Sequence, residues 1–328
     1  MKKPNIDFDR SWAEADWPSP PEWYTTKKAK LKTDSKQAAI KAIKAGALKV
    51  AKSKKLRDKV TEFSTSYKLA DNTYRISADY VFQSYLFIGK HKALLVDTGL
   101  GIGSVIDKVK ELTDKPLIVV CTHGHFGAVG GAGQFDEVKI AKDDLKIAKA
   151  FNKFTRRVVG YTGRAGHDTE KEPKFVALTK SELEHGFDLG GRTIKIVATP
   201  SHTRGSICFI DESNKLAIVG DVVTPLGIEL LPTALPLNKY IEAVEELLKS
   251  LEGKKVYCSY FPRALDFDYA SEFKSELYLA VCYGNDFHKP IKFRASKAKK
   301  LLIVYYGPKA NKRSKETRWN AIKGKGYN

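Results

Sequence analysis

The sequence predicts a mixed α/β protein (α/β or α+β), with strands and helices alternating in two halves of the chain. A 42% apolar share with 11% aromatic residues is enough for a real core and excludes global disorder. Short apolar runs such as Pro116–Cys121 are typical of buried strands. Between them, apolar residues recur at helical spacing, as in Asn238–Leu251.

The elements follow from these patterns in chain order. Residues 1–26, rich in Trp, Pro and acidic residues, are predicted to be irregular. Ser35–Lys59 is predicted to be an amphipathic helix, because its apolar residues fall near three- and four-residue spacing and lysines fill most of the remainder. Strands are then predicted at 73–76, 80–88, 93–97, 175–178, 193–198, 206–210, 216–220, 255–257 and 301–306. Helices are predicted at 102–112, 142–153, 238–251 and 268–282, and a loop at 155–173.

The net charge of +19 is unevenly distributed. Residues 27–59 carry +11 and residues 289–328 carry +12, whereas 1–26 and 60–288 each carry −2. We therefore divide the chain into a basic N-terminal extension (1–66), a central domain (67–307) and a basic C-terminal tail (308–328). Basic flanks around a near-neutral domain are the distribution expected of arms that contact a polyanion.

Membrane insertion and secretion are not indicated. No run approaches the ~20 apolar residues that span a bilayer, and the first residues lack the apolar segment of a secretory signal. The four cysteines, Cys121, Cys208, Cys258 and Cys282, are widely spaced and form no CxxC pair. They are predicted to be buried thiols of a reducing compartment, so we expect a cytoplasmic protein.

The most informative motif is the stretch Cys121–Gly131, which follows the predicted strand Pro116–Cys121. His123 and His125 stand one residue apart in it. Imidazoles at positions i and i+2 of an extended turn can both point at one ion, which suits a metal site.

This stretch resembles the H-x-H-x-D-H signature of the metallo-β-lactamase superfamily, and three further motifs of that family follow the same order. They are Ala93–Gly101, with Asp97; Pro200–Ser206, with His202; and Leu216–Asp221. The resemblance covers roughly residues 67–307. It implies a four-layer αββα sandwich with the metal loops on one edge of the sheets.

The resemblance also implies a ligand set. The first metal site is complete, with His123, His125, His202 and Asp221, and Asp221 is in addition the candidate catalytic carboxylate. The second site has lost its three private ligands, because Gly127, Ala128 and Tyr260 stand in their positions. Random decay would affect both sites, whereas this loss is confined to one.

Three residues are expected to support the site without binding the ion. Asp97 is predicted to orient the metal loop through a hydrogen bond, in line with the supporting layer of known metal sites. Thr122 and Thr203 are the hydroxyls nearest to the ligands in sequence. Three imidazoles and a carboxylate suit one Zn²⁺ ion, and an Fe ion is also compatible. The alternative is a relic pocket that binds no metal.

Two functions are compatible with these observations. The first is a mononuclear metal-dependent hydrolase of a small molecule, an ester or a phosphoester, with reduced or altered activity because the second metal is lost. The second is a binding protein on a retired enzyme scaffold, whose flanks at 27–59 and 308–328 contact nucleic acid or another polyanion.

Overall fold

The computed structural model describes residues 65–78, 82–160, 172–224, 228–230, 233–259, 261–265, 270, 291–294 and 301–306. The predicted helix at 35–59, Tyr260, Cys282 and the tail at 308–328 lie outside these residues, as does nearly all of the predicted helix at 268–282. The domain boundaries and polyanion binding by the flanks therefore stay predictions.

The elements of the described chain are as follows. The strands are β1 (Thr65–Ala70), β2 (Thr73–Ser77), β3 (Gln83–Ile88), β4 (Ala93–Val96), β5 (Leu117–Val120), β6 (Glu137–Ile140), β7 (Lys174–Ala177), β8 (Phe187–Asp188), β9 (Thr193–Ala198), β10 (Ile207–Asp211), β11 (Leu216–Ile218), β12 (Ile228–Leu230), β13 (Lys255–Cys258), β14 (Phe261–Leu265), β15 (Ile291–Arg294) and β16 (Leu301–Tyr306). The helices are α1 (Val105–Leu112), α2 (Phe126–Val129), α3 (Leu145–Gly160), α4 (Lys180–His185) and α5 (Leu237–Leu251), with 3₁₀ segments at Gly130–Gln134 and Lys142–Asp144.

The first sheet has the strand order β1-β2-β3-β4-β5-β6-β7. Pairing is antiparallel from β1 to β4 and parallel from β4 to β7. Strands β3 and β4 are buried along their whole length, which accounts for their continuous apolar runs. Helices α1, α2 and α3 cover one face, where Val109, Ala128 and Ala148 pack with Leu86 and Leu95.

The second sheet has the order β14-β13-β11-β10-β9-β8. Helix α5 covers its outer face. The buried residues of this helix recur at three- and four-residue spacing, as an amphipathic helix requires, and they pack against Ala217, Val219 and Val256. They are Tyr240, Ile241, Val244, Leu247 and Leu251.

A third apolar cluster lies between the two sheets. Phe87 and Leu94 of the first sheet pack there with Phe209, Ile218 and Tyr257 of the second. With helices outside both sheets, this arrangement is an αββα sandwich, so the predicted fold class is confirmed.

A smaller sheet of order β12-β16-β15 joins the end of the described chain to its middle. Strand β16 was predicted at its observed position, and it pairs parallel to β12. None of the helices in the described part of the chain combines the length and the hydrophobicity needed to cross a membrane.

Two predictions about local features can be compared with the structure. Cys121, Cys208 and Cys258 are buried and free, as predicted. The predicted loop at 155–173 is wrong for residues 155–160, which continue helix α3. In this extension Thr155 is buried and donates its hydroxyl to the Phe151 carbonyl, and Arg156 donates to the Asn152 side chain.

Candidate metal centre

Four of the predicted site residues come together where strands of both sheets end. His123 and His125 follow β5, His202 follows β9, and Asp221 follows β11. All four side chains are buried, with 1% to 6% of their surface exposed. The αββα packing thus brings three loops, far apart in sequence, to one buried point.

The distances define a compact cluster. One ring nitrogen from each of the three histidines lies within 4.8 Å of the others. The Nδ1 atom of His125 is 2.8 Å from Nε2 of His202. The Asp221 Oδ2 atom is 3.3 Å from His123 Nε2 and 3.6 Å from His202 Nε2.

The residues present fit a metal ion of the zinc or iron type. Three imidazoles and one carboxylate are a donor set that such ions take in proteins. Tetrahedral coordination with Zn–N bonds of about 2.0–2.1 Å separates ligand nitrogens by roughly 3.3 Å, so the His125–His202 pair needs to open by only about half an ångström. The buried Oδ1 atom of Asp221 has no hydrogen-bond partner among the described residues, as expected of an oxygen that faces a ligand.

Asp97 and Thr122 hold His123 in orientation. The Asp97 carboxylate accepts from the Thr122 amide (2.8 Å) and hydroxyl (2.9 Å). The Thr122 hydroxyl lies 3.0 Å from Nδ1 of His123. Because that hydroxyl gives its proton to Asp97, we infer that Nδ1–H of His123 donates to Thr122, which leaves Nε2 facing the cluster.

Asp97 is itself held in an unusual backbone conformation. Its φ is 62°, in the left-handed region that residues other than glycine rarely adopt, and it is fully buried. Backbone strain of this kind persists where the surrounding structure enforces it, and it is frequent at functional sites.

Thr203 acts through a residue that the sequence did not single out. Its hydroxyl donates to the carboxylate of Asp144 (2.6 Å), which lies in the 3₁₀ segment before α3. The same carboxylate accepts from the amides of Gly124 (2.8 Å) and Gly205 (2.9 Å). Asp144 therefore ties the His123–His125 loop to the loop that follows His202. Asp144 falls within the helix predicted at 142–153, and nothing in that pattern indicates this role.

A second supporting residue was also missed. Nε2 of His125 lies 2.8 Å from the hydroxyl oxygen of Thr233. We infer that Nε2–H of His125 donates to this hydroxyl, which leaves Nδ1 facing the cluster. Nothing in the sequence marks Thr233, which follows Asp221 by twelve residues in a stretch without a motif.

We expect Thr233→Val to weaken zinc binding by about tenfold, because His125 loses the contact that selects its tautomer. Thr233→Ser keeps the hydroxyl and is expected to bind zinc as the wild type does. Competition with a chromophoric chelator measures both affinities. Equal affinity in the valine variant and the wild type would contradict the assigned role.

The pKa values of His123 and His125 are shifted in opposite directions. Burial lowers the pKa of His123, but Asp221 and Asp97 outweigh this effect and hold the pKa above its usual value. Burial and the neighbouring imidazoles of His202 and His123 hold the pKa of His125 well below its usual range. His125 is thus neutral at physiological pH, as a metal ligand must be.

The carboxyl groups of Asp221 and Asp97 also differ in pKa. Burial would raise the pKa of Asp221, but the nearby His123, His202 and Ser259 lower it to about 2. Burial raises the pKa of Asp97 to about 6, although His123 and Thr122 act in the opposite direction. Asp221 is therefore the anionic carboxylate that lies beside His123 and His202.

Two of the three positions predicted to have lost a second-site ligand, Gly127 and Ala128, lie among the described residues. Gly127 lies in α2 against the ring of Phe82, and Ala128 is fully buried in the core of the first sheet. Tyr260 lies outside the described residues. At the two described positions, the structure shows apolar packing.

Comparison with known proteins agrees with this architecture. The model of the metallo-beta-lactamase superfamily matches residues 81–259, more than half of the chain. The chain therefore belongs to that superfamily.

The proteins similar to this chain include a thioesterase and a hydroxyacylglutathione hydrolase. The chain is 26% identical over 195 residues to the acyl-coenzyme A thioesterase MBLAC2 of Homo sapiens, covering 51% of this chain and 67% of that protein. It is 26% identical over 174 residues to the hydroxyacylglutathione hydrolase GloC of Haemophilus influenzae, covering 52% and 77%. Among solved structures, a metallo-beta-lactamase from Pontibacter korlensis aligns with a TM-score of 0.46 at 18% identity, covering 66% of this chain and 99% of that chain.

Proposed function

We propose that this protein is a mononuclear metal-dependent hydrolase of small thioesters or related esters, with one ion held by His123, His125, His202 and Asp221. The observation that carries the proposal is the convergence of three imidazole nitrogens within 4.8 Å, beside the Asp221 carboxylate. The thioester class is favoured because the similar proteins named above are a thioesterase and a hydroxyacylglutathione hydrolase.

A bound Zn²⁺ or Fe ion would supply Lewis acidity, which polarises a carbonyl oxygen and makes water more acidic. The chain's own residues set the geometry around it. Asp97 and Thr122 orient His123, and Thr233 orients His125. Burial of all four ligand side chains keeps bulk water from competing with them.

Asp221 has a further role in this proposal. Its buried Oδ1 atom makes no hydrogen bond of ordinary length in the described chain, although the Ser259 side chain lies near the carboxylate, so it can accept a hydrogen bond from an attacking water molecule and orient it. A pKa of about 2 makes this carboxylate a weak base. Asp221 therefore positions the water more than it removes a proton from it. Because none of the described residues beside the cluster is assigned as a further base, we expect turnover to be slower by about 10²–10⁴-fold.

The test is a metal assay with a substrate panel on the full chain. We expect close to one equivalent of zinc or iron by elemental analysis, and hydrolysis of an acyl-coenzyme A or an acylglutathione that chelation abolishes. Nitrocefin and a phosphodiester serve as comparison substrates and are expected to be hydrolysed more slowly. Two equivalents of tightly bound metal, or no metal after reconstitution, would refute the mononuclear centre. Metal binding without thioester or ester cleavage would refute the hydrolase.

A further inference from the structure

The space in front of Gly127 is filled by an aromatic ring. A Cβ atom built on Gly127 would lie 2.1 Å from Cε1 and 2.3 Å from Cδ1 of Phe82. No real Cβ contact is that short, so no side chain fits at position 127 unless the ring moves. Phe82 is only 5% exposed and packs edge to face on Phe126, with 5.6 Å between ring centroids.

The ring is held beside the candidate metal centre by its neighbours. The amide of Gln83, the next residue, donates to the Ser259 carbonyl (2.8 Å), and the Ser259 amide donates to the Gly220 carbonyl (3.1 Å). Gly220 directly precedes Asp221. On the other side, Phe126 packs on Phe151, whose ring contacts His125 at 5.1 Å between centroids.

We propose that Phe82 occludes the second metal position and thereby enforces a mononuclear centre. Position 127 is where the resemblance places the carboxylate of the second ion, and here a ring without a ligand atom occupies the space of that side chain. A divalent cation next to this ring would be desolvated without a carboxylate from position 127 to compensate, which is unfavourable. A second ion would then be excluded both by the space that the Phe82 ring occupies and by the lack of ligand side chains at positions 127 and 128. The consequence for metal binding rests on the proposed function. The steric conflict between the Phe82 ring and a side chain at position 127 does not depend on a metal.

A double-mutant cycle tests the steric part. We expect Gly127→Asp to lower the melting temperature of the metal-free protein by at least about 5 °C, because overpacking and a buried carboxylate both cost stability. Phe82→Ala alone is also destabilising, through the cavity it leaves. The double variant is expected to be more stable than the sum of the two losses predicts, since the smaller side chain at position 82 makes room for the introduced carboxylate.

Gly131 offers a matched control. A Cβ there would meet the backbone oxygen of Thr98 at 2.2 Å, and Phe82 is not among its nearest neighbours. Phe82→Ala is therefore expected to give no rescue of Gly131→Asp. Additive losses for the Phe82 and Gly127 changes, or equal rescue at Gly131, would overturn the steric proposal.

Titration with Co²⁺ tests the consequence for metal binding. We expect the double variant to bind a second equivalent at least tenfold more tightly than either single variant, because it alone combines a carboxylate with the space to use it. A second equivalent bound equally well by Gly127→Asp alone would overturn the role of Phe82. If the wild type binds no metal, the proposed function fails, while the stability cycle still decides whether Phe82 occludes position 127.

Discussion

Replacing His202 by alanine is expected to remove the metal and to lower hydrolysis by at least about 10³-fold. His202 lies at the middle of the cluster, since its Nε2 atom is 2.8 Å from His125 Nδ1 and 3.6 Å from Asp221 Oδ2. Its loss leaves two imidazoles and one carboxylate, a set that binds zinc more weakly and with less defined geometry. Elemental analysis and turnover of the thioester substrate measure the two effects.

His185 provides the matched control for this variant. It lies on α4 with an exposed side chain, away from the cluster, so His185→Ala is expected to retain metal and activity. A His202→Ala protein that keeps one tight equivalent of metal would show that the ion is bound elsewhere.

Replacing Asp144 by alanine is expected to reduce both stability and metal affinity. Three donors lose their acceptor, namely the amides of Gly124 and Gly205 and the hydroxyl of Thr203. Each buried donor left unsatisfied costs about 1–3 kcal/mol, so we expect a loss of roughly 3–5 kcal/mol after partial relaxation. Zinc affinity is expected to fall by about 10–100-fold, because two ligand loops are no longer tied together.

A variant of Asp211 distinguishes a loss of stability from a specific loss of zinc affinity. It is equally buried and pairs with Arg192, but it touches neither ligand loop in the described contacts. Asp211→Ala is expected to cost a similar free energy of unfolding, because it leaves the buried Arg192 guanidinium without its carboxylate partner, and to leave zinc affinity unchanged. Urea unfolding and chelator competition measure these quantities. If both variants lose zinc affinity equally, Asp144 acts only through global stability.

The Gly205 amide can donate to the Asp144 carboxylate because residue 205 has no side chain. A Cβ atom there would lie 2.8 Å from the Asp144 carboxyl carbon, so only glycine lets the loop after His202 reach that carboxylate. The sequence motif contains Gly205, but the partner that requires it lies 61 residues earlier.

Much of this protein could be predicted from sequence because its signals are local. Apolar runs and helical spacing located β4, β16 and α5, since burial on a sheet or helix face imposes its period on neighbouring residues. The order of the four motifs predicted the superfamily and the αββα layers. It also named the histidines and the carboxylate that the structure brings together, whose role as ligands stays a proposal.

The remaining features depend on contacts between residues distant in the chain. The sequence by itself determined that position 127 offers no side-chain ligand, because glycine has no donor atom there. Only the tertiary structure decided what fills that space, because the Phe82 ring comes from a different strand region, 45 residues earlier. The supporting contacts of Asp144 and Thr233 likewise join residues that are far apart in the chain. A carboxylate or hydroxyl acquires such a role from the loops packed against it, and side-chain packing across the sandwich leaves no period or motif in the sequence.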